Sequence, residues 1–128
     1  MKVVQELVAH FDRQGRLSKK QIKRLLDQGL LAADGPPTMI DLCDQIGASY
    51  YFRVTGVAEG QLWGTDVYTG DSLLAAAAVH AGALAVDENA IVKVLVEKPL
   101  QQYLGSTRNG VTSHEFGAFG TAYRVGRV

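Results

Sequence analysis

The sequence predicts an α+β fold with one hydrophobic core and a short, wholly buried helix surrounded by sheet. Three observations lead there. Leu73 to Ala81 is apolar on every face, and a helix with no polar face has no side to offer water. On either side of it Tyr50, Phe52 and Val54 alternate, Ile91 to Val96 is apolar and β-branched, and Tyr123 and Val125 alternate again, which are strand patterns. A chain of 128 residues is also the right size for a single core.

Composition narrows the function classes. Apolar residues make up 47% and charged residues 20%, which is globular and not disordered. Thirteen basic residues balance thirteen acidic ones, so no net field draws the chain to nucleic acid or an anionic membrane. No stretch approaches the ~18 apolar residues of a membrane span. Cys43 is the single cysteine, so packing alone must hold the domain together. It has no partner at metal-ligand spacing, and a lone cysteine reads as a small buried apolar residue.

Residues 1–33 read as a helical hairpin. Val3, Val4, Leu7, Val8 and Phe11 fall on one helical face, and Gly15 ends it. Ser18 and Gln21 form a capping box, with Leu17 and Ile22 at the staple positions around it. Ile22, Leu25 and Leu26 continue the second face up to Gly29. Gln5, Glu6 and His10 interrupt the apolar run that a secretory signal requires, so the chain as written reads as cytoplasmic. The stretch Asp12 to Arg16 is no calcium loop, since Gly15 stands too early and Arg16 and Lys19 occupy ligand positions. Two helices with one apolar stripe each cannot cover both stripes by themselves. Residues 3–31 are therefore expected to dock on the rest of the chain or on a second copy.

Residues 34–47 read as a linker, because Ala32 to Thr38 carries turn chemistry. Residues 48–128 then form the main domain. Within it Asp71 or Ser72 is expected to cap the buried helix and Gly82 to end it. Asn109-Gly110 is a tight-turn signal.

Several segments of this domain, taken together, resemble the LCCL domain. They are Trp63-Gly64-Thr65-Asp66-Val67-Tyr68-Thr69-Gly70-Asp71-Ser72, then Ala77-Ala78-Val79-His80-Ala81-Gly82, then Tyr103-Leu104-Gly105-Ser106, with Arg108-Asn109-Gly110-Val111 and Ser113. The resemblance runs from about Phe52 to Val125. It implies a central helix wrapped by two small β-sheets, and a binding module without catalytic activity. It also implies a ligand class, since animal members are extracellular and linked to recognition of bacterial surfaces and lipopolysaccharide. This sequence departs from them where their half-cystine after the serine corresponds to Ala75, which implies a disulfide-free member of bacterial type.

His80, in the last turn of the buried helix, reads as a packed, hydrogen-bonded histidine. His114 with Ser106, Ser113 and Asp66 or Asp71 could be drawn as a triad, but no nucleophile-elbow pattern surrounds either serine, so no catalytic residue is assigned. No metal or cofactor is expected, and Gly105 to Gly110 lacks the ending of a phosphate loop. Trp63 is either a core residue or a stacking platform for a sugar. The strongest binding candidates are Arg108, Asn109 and His114 with the tail residues Arg124 and Arg127, which gather hydrogen-bond donors for an anionic glycan or glycolipid. Two functions stay open: such a glycan-binding module, or an intracellular interaction module that uses the helical hairpin.

Overall fold

The computed structural model describes residues 33–127. Along the chain run β1 (Ala33–Asp34), β2 (Ser49–Thr55), β3 (Gly64–Thr65), β4 (Val67–Thr69) and α1 (Leu74–His80). They are followed by β5 (Asn89–Glu97), β6 (Thr107–Arg108), β7 (Val111–Thr112) and β8 (Ala122–Arg127). The helical hairpin expected over residues 1–33 lies outside the described residues except for its last position, Ala33, which stands in β1.

Six strands form one sheet in the order β1-β2-β5-β8-β4-β3, and β6 with β7 forms a separate two-stranded ribbon. The expected pair of sheets is thus one large and one minimal. β1 pairs parallel with β2, and the other pairings are antiparallel. β5 is central because Val92, Val94 and Val96 alternate inward, and the period of two puts all three on one face. Register aligns Val94 with Tyr50 on one side and Val125 on the other.

The helix α1 packs on that face. Leu74 and Ala76 through His80 are buried, with only Ala75 partly open. Seven residues are too few for a stable isolated helix, so burial between the sheet and the β6–β7 ribbon holds it. Its alanines have high helix propensity and let the neighbouring backbone approach. Neither Asp71 nor Ser72 caps it: the N-cap is Leu73, with no side-chain cap bond. The N–H groups of Leu73 and Leu74 go instead to the carbonyls of Gln61 and Pro37, so the orphan donors find backbone from other segments. At the other end Gly82 adopts φ +83°. The bonds Gly82 N–H to Val79 O and Ala83 N–H to Ala78 O complete a Schellman motif.

Residues 34–47, read above as a linker, contribute to the core. Gly35 donates to Arg53 O and Met39 to Gly70 O, while Met39 and Cys43 are buried among the core residues. The apolar Met39, Leu42 and Cys43 explain this, for turn chemistry in the preceding prolines does not stop a segment from packing. On the opposite face of the sheet Val67, Tyr103 and Ala122 make a second, smaller cluster with Phe119 against it.

Candidate functional site

Four of the motif residues, Tyr68, His80, Ser106 and Thr65, share one polar network that is buried at Tyr68 and His80 and half-buried at the other two. Tyr68, fully buried in β4, places its hydroxyl 2.8 Å from His80 Nδ1. The other ring nitrogen, Nε2, lies 3.1 Å from the Ser106 carbonyl oxygen and 3.2 Å from Ser106 Oγ. A carbonyl only accepts, so Nε2 carries the proton and Nδ1 accepts from Tyr68. Thr65 donates its hydroxyl to Leu104 O at 2.8 Å, which leaves Ser106 as donor in the Thr65–Ser106 contact. The Tyr68, Thr65 and Ser106 hydroxyl protons then have one destination each, and the Nε2 proton is shared by the two Ser106 oxygens. Burial pushes the Tyr68 hydroxyl up to about 12, which keeps it a donor.

This bookkeeping disposes of the triad. Ser106 spends its proton on Thr65, and the histidine nitrogen beside it is a donor, not a base. Ser113 is buried and bonds the Ser106 backbone in both directions. His114 is exposed; its backbone bridges Leu62 and Gly64, and its ring is not brought to either serine by any hydrogen bond. Asp71 accepts from Thr69 at 2.6 Å, and Ser72 Oγ accepts from Trp63 N–H at 3.0 Å. Among the described residues no group of three His, Cys, Asp or Glu side chains could hold a metal.

Asn109 and Gly110 form the expected turn, with φ +54° and +79° and Arg108 opposite Val111. Positive φ at both central positions is the type I′ requirement, and Asn and Gly are the residues that meet it. The Asn109 side chain donates to His80 O at 3.1 Å, so it satisfies a carbonyl at the helix C-terminus. Gly105 has no room for a side chain, because a Cβ there would sit 2.8 Å from Glu115 N and 2.9 Å from Ser113 O.

The predicted arginines do not converge. Arg108 pairs with Asp66 at 2.7 Å, Arg124 with Glu97 at 3.1 Å and Arg127 with Glu88 at 2.9 Å. Each positive charge thus meets a carboxylate at a different place on the fold. The Ala85 N–H and then the Arg127 guanidinium hold Glu88 below the usual carboxylate range.

A different surface has the shape of a site. Phe116 is half-exposed and stands between Trp63 and Phe119, with ring centroids at 6.2 and 5.8 Å and near-perpendicular planes. Edge-to-face contacts of this kind fix ring orientation. Gln101, Gln102, Glu115, Phe116 and Gly117 line an open cleft of about 510 Å³. Tyr103, fully buried, builds it: its N–H and carbonyl exchange bonds with Phe116 at 2.8 and 3.0 Å. Its hydroxyl accepts from Leu100 N–H and donates to Phe119 O, both at 3.1 Å. One side chain thereby ties down both lips of the cleft. Of the predicted site residues, Trp63 touches this surface through Phe116, and His114 lies across a strand bridge from Trp63.

Gln101, Gln102, Glu115 and Phe116 escaped the sequence reading. The signal available was a glutamine pair and two phenylalanines set among glycines in a loop. Nothing in the spacing says that Tyr103 brings them together.

The LCCL domain family profile matches residues 43–121. The chain belongs to the LCCL domain family. Similar proteins include clotting factor C of Tachypleus tridentatus and Limulus clotting factor C of Carcinoscorpius rotundicauda. Each is 30% identical over 92 residues, covering 70% of this chain. The chain spans 9% of the length of these relatives, so the likeness concerns this LCCL domain and not the whole clotting factors. The residues that carry the sequence resemblance include the Tyr68–His80–Ser106–Thr65 network, the Asn109 turn and the Tyr103 clasp. They build this LCCL domain and leave its ligand to the surface.

Proposed function

We propose that this LCCL domain is a non-enzymatic module that binds a glycan or glycolipid, with lipopolysaccharide as the leading candidate. The observation that carries the reading is the cleft of Phe116, Gln101, Gln102 and Glu115. It joins an exposed aromatic ring to amide and carboxylate groups, the combination that orients a polyhydroxylated ligand. Family membership supports the same ligand class.

Ser106, Ser113 and His80 spend their hydrogen bonds on one another and on Thr65 and Tyr68, which favours recognition over turnover. The cleft is shallow and open, which suits the end or side of a polysaccharide better than an engulfed small molecule. A glycan array probed with labelled protein, beside immobilised lipopolysaccharide, tests the reading. Saturable binding to lipopolysaccharide or to defined glycans, reduced by Phe116→Ala, is expected. Absence of binding to both by a correctly folded protein would remove the proposal.

A further inference from the structure

We infer that the unit recognised in the Phe116 cleft is an uncharged sugar ring and not a phosphate or other anion. The inference rests on the glycan-binding reading above and sharpens its ligand class. The first observation is charge. Among the described residues Glu115 is the one ionisable side chain lining the cleft, and a carboxylate repels a phosphate or a sugar acid. The second is that three arginines among the described residues are committed elsewhere. Arg108, Arg124 and Arg127 each meet an acid within about 3 Å, so their fields are largely cancelled before a ligand arrives. Lys98 precedes Gln101 by three residues but is not among the lining residues.

What the cleft offers instead fits a neutral pyranose. Such a ring presents a flat C–H face, and the half-exposed Phe116 ring, oriented by its edge-to-face contacts with Trp63 and Phe119, provides an apolar surface for it. Its hydroxyls are both donors and acceptors. The Gln101 and Gln102 amides can answer in either sense, while Glu115 accepts. A single ring on so open a cleft is held weakly, with a Kd on the order of 1 mM. Useful affinity then comes from repeated units on a polymer.

The experiment compares three probes: intact lipopolysaccharide, its delipidated and dephosphorylated polysaccharide, and lipid A vesicles, each at about 0.05 and 0.5 M salt. Expected are equal binding to the first two, none to the third, and little change with salt. Phe116→Ala should weaken polysaccharide binding about tenfold, with its melting temperature used to confirm folding, and Arg108→Ala should leave it unchanged. Binding that needs the phosphates, weakens steeply with salt and falls in Arg108→Ala would overturn the inference while keeping the glycolipid reading. Polysaccharide binding that survives Phe116→Ala would show that the sugar sits elsewhere. Failure of all three probes and of a glycan array would reject the functional reading itself.

Discussion

Tyr68→Phe removes one oxygen atom from the buried network and has a calculable cost. His80 Nδ1 loses its only donor in the network, the Tyr68 hydroxyl at 2.8 Å, at a site where both side chains are fully buried. Water has little access there, so the nitrogen is left as an unsatisfied acceptor, worth about 1–3 kcal/mol. At roughly 4–6 °C per kcal/mol for a domain of this size, thermal melting should fall by ~4–18 °C. Pairing it with His80→Leu removes the orphaned nitrogen, so the double variant should lose less than the sum of the two single variants.

The same substitution has a pH signature. Burial raises the Tyr68 hydroxyl from 10.0 to about 12, so the folded state holds this proton more tightly than the unfolded chain. The associated stability is present in full below pH 10 and is lost as pH climbs toward 12. A shift of this size corresponds to roughly 2–3 kcal/mol. Urea unfolding followed by circular dichroism at pH 8, 10 and 11.5 measures both effects. Parent stability should fall across that range, and Tyr68→Phe should be weaker at pH 8 but lose less with alkali. A variant as stable as the parent at pH 8, with the same alkaline decline, would refute the proton assignment.

The remaining predictions are more local. Ala77→Leu should destabilise the domain by about 1–3 kcal/mol or more, because Ala77 is fully buried in a helix held between sheet and ribbon; parent-like denaturant unfolding would mean that the helix has an open side. Cys43→Ser should melt like the parent in reductant and oxidant alike. Burial and the nearby Asp44 push that thiol up to about 11, so only ~0.1% is thiolate at pH 8 and alkylation of the native protein should be slow. The two apolar stripes of residues 3–31 predict self-association. Deleting residues 1–31, which spares β1, should leave a folded monomer by light scattering, whereas a monomeric parent and an unfolded truncation would assign the segment to the core.

Helix and sheet were legible in the sequence where side-chain period and burial coincide. The all-round apolar run at Leu73 to Ala81, the alternation through Val92, Val94 and Val96, and Asn109-Gly110 each name their own local structure. The helix start was not legible, because Leu73 and Leu74 N–H are satisfied by carbonyls distant in sequence and Ser72 turns instead to Trp63. The packing of the 34–47 segment was not legible for a similar reason: its prolines and glycine describe a turn, while Met39 N–H is held by Gly70 O, distant in sequence. The predicted arginines failed to converge because proximity in sequence says nothing about Asp66, Glu97 and Glu88, which claim them. The Phe116 cleft was invisible for the opposite reason, since its members come together only through the buried Tyr103. Structural residues carry strong local patterns, whereas surface recognition rests on loops assembled at a distance.

The most direct measurement is an NMR titration of isotope-labelled protein with lipopolysaccharide-derived polysaccharide. Backbone shifts confined to Gln101, Gln102, Glu115, Phe116 and Gly117, saturating at millimolar sugar-unit concentration, are the expected result. Shifts centred instead on Arg108, Arg124 or Arg127, or none at all at saturation of the titrant, would contradict a sugar-binding cleft at Phe116.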